Sequence, residues 1–433
     1  MKKTICLVTN WYPTKENPFQ GLFFKEQAFA VSENFNFVVI HYREHMGEKI
    51  VNRVKVSPPY TEKNTIEYFF DVSVPLSVYM ADVIHDFKIK HIRKKYVDGI
   101  GKYISEKRKT YTQKTITKLV NQYVKESVDV FYCVDAQQEA FIIQCLAQHF
   151  NKPYIVGEHA PVPWPGTVMK DINKYAIENA NMFLAISNDK IRQLLLQNIR
   201  LPKIKYIGNL IDETKLLPKK NGNDIKTFVI VAAHSFYKNY ALFIAIMNKL
   251  VEITKCDFRV MIVGYGSNKG YSKNIEDFEN EIRNSKFADK AIMIPEVPHE
   301  KIGETLNKAD AFIMTSIQEG QPVSAMEAAC CGLPIFSTRC GGVEDYVDEK
   351  MGRIYSILDS DGMAQGLKDF LEGKMEFDSE YIRKQVVERF GTKAFVENFT
   401  SAFVEVCGKK IGNKAFTNKY IDRFNRVIDD AGA

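Results

Sequence analysis

The sequence predicts an α/β protein made of two open, parallel-sheet domains, and three observations predict it. Short β-branched runs alternate with longer helical patterns, as they do where helices cross between parallel strands. The runs fall into two sets, separated by a polar, Pro/Gly/Lys-rich stretch at 213–226 that reads as a linker. A chain of 433 residues is long enough for two domains with large cores.

In chain order, the first set is TICLVT, FNFVVIHY, VDVFYCV, KPYIVGEH and MFLAIS. The second is TFVIVAAH, FRVMIVG, AIMIPE, AFIMTS and LPIFST. These place a first domain at 1–212 and a second at 227–400, with helices over 401–433. Tyr420, Phe424 and Val427 share one face of a final helix at 417–430, so that helix needs a partner and is expected to return to the first domain.

Composition excludes several classes. Hydrophobic content of 45% and charged content of 26% suit a soluble globular chain. The eight cysteines show no C-x-x-C pair and no zinc spacing, and mostly lie in apolar runs where a thiol acts as a small hydrophobe. A reducing, cytoplasmic location is the expectation. The apolar run after Lys2-Lys3 is too short for a signal peptide and reads as a buried strand. No window reaches the roughly 18 apolar residues of a membrane helix.

Charge is uneven. Of the net +6, the segment 86–125 alone carries about +9, with twelve Lys/Arg against Asp86, Asp98 and Glu106. Apolar residues recur there mostly at helical spacing. Two readings stand: surface helices with a solvated basic face, or a basic face resting on anionic phospholipid at the inner side of the membrane. No nucleic-acid motif accompanies the charge, so nucleic acid is not an expected partner.

The chemistry concentrates in SIQEGQPVSAMEAACCGLPIFST, residues 316–338. A strand leads into a Gly/Pro loop, then a short helix over 323–331 that Gly332 ends. A helix N-terminus offers unpaired N–H groups and a positive dipole end to phosphate. Glu319 and Glu327 flank it, and carboxylates accept hydrogen bonds from hydroxyls. The combination suits a ligand that is part phosphate and part sugar.

E-G-x-P-x-x-x-x-E-A-x-x-x-G-x-P, followed by Gly341-Gly342, resembles the E-x7-E signature of retaining glycosyltransferases of family 4, which have the GT-B fold. WYPTKENPFQGLFFKEQAFAV, GEHA, FLAIS, YIGNLID, HSFYKN and MIVGYG are similar to further family segments and occur in the family's order. The resemblance implies two Rossmann-like domains facing an interdomain cleft, the first for acceptor and the second for donor. It implies that Glu319 accepts hydrogen bonds from the donor sugar and Glu327 from the ribose. Lys238 would face the diphosphate, His159 the donor sugar, and Gly21 would let the first loop approach the diphosphate. The backbone of Gly320, Gln321, Pro322 and Val323 would help hold the sugar, with Asn209 at the domain junction also near the ligand.

Ala233 stands where the family often has an arginine, and Gln321-Pro322 replaces the usual Phe-Gly. Asp359-Ser360-Asp361 imitates a metal-binding D-x-D, but precedes a helix, where Asp is an ordinary N-cap. GYGSNKG has the wrong spacing for a dinucleotide fingerprint. The expected activity is therefore retaining, metal-independent transfer by a hexosyltransferase, in bacterial polysaccharide or glycolipid synthesis. No metal or cofactor is expected. A UDP- or GDP-sugar is the co-substrate, and a saccharide or lipid-linked saccharide the acceptor. A nucleotide-sugar 2-epimerase and a non-catalytic sugar-nucleotide-binding relative are the alternatives.

Overall fold

The computed structural model describes residues 2–14, 20–46, 55–81, 105–162, 169–218, 225–267 and 272–407. The chain divides into two compact units. One runs to Ile207 and resumes at Val396; the other is Gly208–Phe395.

The first unit contains β1 (Lys3–Val8), α1 (Leu22–Ala30), β2 (Phe35–Met46), β3 (Lys55–Glu62), β4 (Thr65–Val74) and α2 (Glu106–Tyr123). It continues with β5 (Val130–Cys133), α3 (Ala136–Phe150), β6 (Tyr154–Gly157), α4 (Asp171–Glu178), β7 (Met182–Ala185), α5 (Asn188–Leu196) and β8 (Ile204–Tyr206). The sheet order is β3-β4-β2-β1-β5-β6-β7-β8, with every pairing parallel except β3 against β4. β5, β6 and β7 are buried at every position, because helices cover both faces of a parallel sheet. β3 tolerates Pro58-Pro59 because it is an edge strand, and its register shifts between Ser57 and Tyr60.

The second unit holds β9 (Lys226–Val231), α6 (Tyr240–Ile253), β10 (Phe258–Val263), α7 (Ser272–Arg283), β11 (Ala291–Ile294) and α8 (Ile302–Leu306). After these come β12 (Ala311–Met314), α9 (Val323–Cys330), β13 (Ile335–Thr338), β14 (Gly352–Tyr355), α10 (Ser360–Leu371) and α11 (Ser379–Phe390). Its sheet, in the order β11-β10-β9-β12-β13-β14, is parallel throughout. All ten strands expected from the sequence are present; β3, β4, β8 and β14 are additional.

α12 (Thr392–Val406) starts where Thr392 donates twice to Glu213 Oε2, at 2.9 Å each. From Val396 onward it belongs to the first unit. There Phe399 and Phe403 stack at 4.2 Å and meet Phe35 and Tyr132. The helix expected at 417–430 lies outside the described residues, as does 82–104, which includes the first half of the basic segment. In the second half, Arg108 is buried, and it pairs with Glu44 instead of adding to a surface charge. Lys107, Lys114, Lys118 and Lys125 are exposed. All eight cysteines are free, and six are buried.

Candidate active site

In each sheet the chain reverses its direction of growth at one place. β9 lies between β10 and β12, and β1 between β2 and β5. Open α/β sheets hold ligands beyond the carboxyl ends of their strands at such a reversal. In the second unit the segments after β9 and β12 occupy that position, and they carry Lys238 and Glu319.

Lys238 ends a 3-10 turn, Phe236–Lys238, which Asn239 closes in the left-handed conformation (φ 49°). The Asn239 side chain then caps α6 by accepting from Leu242 N–H. Two bonds tie the two segments: Thr315 Oγ1 donates to the Lys238 carbonyl at 2.9 Å, and Ile317 N–H to the Tyr237 carbonyl at 2.7 Å. Glu319 is fixed through its own N–H, which donates to the Cys340 carbonyl at 2.7 Å. Its Oε1 accepts from Lys238 Nζ at 2.6 Å and from Ser316 Oγ at 2.7 Å. The side chains are 27% and 14% exposed, so the pair is open to a ligand on one side. An ammonium has three donors and can serve a carboxylate and a phosphate together.

Gly320 to Val323 run directly into α9. Pro322 is its N-cap and supplies no side-chain hydrogen bond, and no acidic residue stands in the first turn. That end of the helix keeps its N–H groups and positive dipole for an anion. At the other end Gly332 (φ 81°) makes the expected C-cap: its N–H bonds to the Ala329 carbonyl, and Leu333 N–H to that of Ala328. Gln321 and Asn209 are both buried, and Asn209 donates to Gln321 twice. Asn209 N–H donates to Gln321 Oε1 at 2.5 Å, and Asn209 Nδ2 to the Gln321 carbonyl at 3.0 Å. Gly342 (φ 69°) lies under the loop, where a Cβ would come within 2.2 Å of the Gly320 carbonyl oxygen.

Glu327 is in the second turn of α9, and its Oε1 is 3.0 Å from His299 Nε2. Neither His299 nor Ser316 is marked by any motif in the sequence. Asp359 caps α10 by accepting from Gly362 N–H at 2.8 Å, as expected of an N-cap.

In the first unit Gly21 precedes α1 with φ 64°, and a Cβ there would lie 2.2 Å from the Trp11 carbonyl oxygen. His159 follows β6, buried, with its ring 4.7 Å from Phe24 and 5.9 Å from Phe23. α1 therefore brings Gly21 and His159 to one corner of the sheet. Beneath it lie three buried acids, Asp135, Glu139 and Glu158, and the buried Lys190. Burial pushes Asp135 up to about 6. Burial, together with the charge of Asp135, holds Glu139 and Glu158 well above the carboxylate range.

Residues 212–386 match the family model "Glycosyl transferases group 1". Among curated relatives, the phosphatidylinositol N-acetylglucosaminyltransferase gpi3 subunit of Schizosaccharomyces pombe is 22% identical over 56% of this chain and 52% of its own length. The lipopolysaccharide 1,6-galactosyltransferase of Escherichia coli is 25% identical over 62% of this chain and 72% of its own. The chain spans about half the length of the first of these relatives. Among solved structures, the sucrose-phosphate synthase of Thermosynechococcus elongatus superposes with a TM-score of 0.67 at 14% identity, covering 93% of this chain and 99% of that one. An Anabaena protein solved with UDP and glucose gives 0.63 at 11% identity, covering 93% and 100%. The fold is GT-B, and the chain resembles the group 1 glycosyltransferases, whose domain its second unit carries.

Proposed function

We propose that this protein is a retaining, metal-independent glycosyltransferase. It moves a sugar from a nucleotide-sugar donor to a hydroxyl of a saccharide or lipid-linked saccharide. The observation that carries the reading is the Lys238–Glu319 pair, set beside a helix N-terminus at the reversal point of the second sheet.

Glu319 binds a hydroxyl of the donor sugar, and Glu327 the ribose. Lys238 gives up part of its contact with Glu319 to meet the diphosphate, and stabilises its charge as the bond from C1 breaks. The acceptor oxygen bonds to C1 on the face the diphosphate leaves, and its proton passes to the departing diphosphate oxygen. Gly21 and His159, in the first unit, are assigned to donor binding by the same reading.

A UDP-sugar is the proposed donor, supported by the Anabaena neighbour solved with UDP and glucose. A lipid-linked acceptor at a membrane surface is supported by the lipids in the relatives' names and by the exposed lysines of α2. Each Lys near an anionic surface contributes about 1 kcal/mol. Wild type should therefore co-sediment with phosphatidylserine vesicles at low salt, and the Lys107→Gln/Lys114→Gln/Lys118→Gln variant should do so less. Equal sedimentation removes α2 from the membrane reading.

The transfer itself is tested by incubation with nucleotide sugars and saccharide acceptors, following the anomeric signal by NMR. Product with the donor's anomeric configuration supports the proposal. Inverted product, or sugar interconversion without an acceptor, contradicts it.

A further inference from the structure

Glu139, in the first turn of α3, is 1% exposed. Its Oε1 accepts from Asn10 N–H at 2.7 Å, and its Oε2 from Asp135 N–H at 3.3 Å. The Thr9 side chain hydrogen-bonds to the same carboxyl. One side chain thus ties the residues after β1 to the end of β5, the two strands that border the reversal point of the first sheet.

The contact continues along the chain. Trp11 N–H donates to Thr9 Oγ1 at 2.9 Å, and the Trp11 carbonyl lies against Gly21, where no Cβ fits. Glu139 therefore fixes the start of the segment whose far end is Gly21. A carboxyl is a costly way to brace a core. Burial raises its proton affinity, Asp135 adds to the effect, and an apolar side chain of similar size would avoid both. An apolar side chain could not accept from Asn10 N–H.

We propose that Glu139 is a positioning residue for the β1–α1 segment, holding its backbone at Asn10 and Trp11 so that Gly21, assigned above to donor binding, keeps its place against the Trp11 carbonyl. The role rests on the glycosyltransferase reading, and it is separable from it by experiment.

The variants are Glu139→Ala, which removes both acceptors, and Glu139→Gln, whose amide oxygen still accepts from Asn10 N–H. Steady-state kinetics with the donor varied give KM and kcat. Hydrogen exchange of the peptide spanning Asn10 and Trp11 gives the backbone's freedom directly. Misplacement of a substrate-contacting segment costs on the order of tenfold to a hundredfold in kcat/KM. Glu139→Ala should lose that much, mainly in donor KM, with faster exchange confined to the β1–α1 peptide. Glu139→Gln should recover both. Should the alanine variant not fold, Glu139→Asp, one carbon shorter, should raise donor KM at a melting temperature close to wild type.

A folded Glu139→Ala with wild-type kcat/KM and wild-type exchange overturns the proposal. So does a Glu139→Gln as impaired as the alanine variant. A wild type that uses no nucleotide sugar, with exchange still released by Glu139→Ala, overturns the transferase reading and upholds the bracing of Asn10.

Discussion

Lys238 Nζ lies 2.6 Å from Glu319 Oε1, a contact between residues 81 positions apart that joins the segment after β9 to the segment after β12. The pair gives the second unit a cation and a hydroxyl acceptor at one point. Lys238→Ala and Glu319→Ala should each cut turnover at saturating donor by about 10²–10³, the usual cost of one oriented transition-state contact. Both sit in partly exposed loops, so the melting temperature should move little. Near wild-type turnover in either variant would remove these residues from the site.

Glu327 carries a different expectation, because the ribose it is proposed to bind is remote from the breaking bond. Glu327→Ala should raise donor KM while leaving kcat within about threefold, the pattern of lost uniform binding. His299→Ala frees the Glu327 carboxylate from its partner and should show a smaller effect of the same kind. A pure kcat defect in Glu327→Ala contradicts the ribose role.

Gly342→Ala tests the support of the Gly320–Gln321 loop. The added Cβ would sit 2.2 Å from the Gly320 carbonyl oxygen on a backbone with φ 69°. An alanine at positive φ costs on the order of 1 kcal/mol before any clash is relieved. Both stability and kcat/KM should fall, the latter at least tenfold for a displaced binding loop. Unchanged kinetics would show that the loop's position does not matter to the chemistry.

Burial of Asp135 gives stability a pH dependence. Its carboxyl is raised from 3.8 to about 6, so the folded chain binds its proton more tightly than the unfolded chain. The contribution is therefore full below pH 3.8 and is lost as pH rises through about 6. Glu139 and Glu158, also raised by burial and by the charge of Asp135, stay in place in the Asp135→Asn variant, as does Lys190. Urea unfolding between pH 4 and 7 should show a shallower loss of stability in Asp135→Asn than in wild type. An identical slope would show that Asp135 is ionised throughout.

These positions also show what a sequence makes legible. Strands such as β5 and β7 are read easily because a parallel strand buried on both faces is a continuous apolar run. β3 escapes notice because Pro58-Pro59 argues against a strand, and only its place at the edge permits them. β4 escapes because Glu67 and Asp71 interrupt its apolar residues. Glu319 and Lys238 stand out through the Gly/Pro loop and the resemblance around them, but their contact depends on how β9 and β12 neighbour. His299 reaches Glu327 from the segment after β11, with no local periodicity to mark it. Glu139 reads as an ordinary acid in a helix's first turn; only the fold shows that it faces inward, toward Asn10.

The central claim is that a nucleotide sugar binds at Lys238 and Glu319, and thermal unfolding with UDP-, GDP- and ADP-sugars tests it most directly. A ligand at 100 times its Kd stabilises the folded state by about 2.7 kcal/mol. At least one nucleotide sugar should raise the melting temperature of wild type, and the rise should shrink in Lys238→Ala under the same conditions. No shift with any nucleotide sugar at millimolar concentration, or an equal shift in Lys238→Ala, would contradict the account.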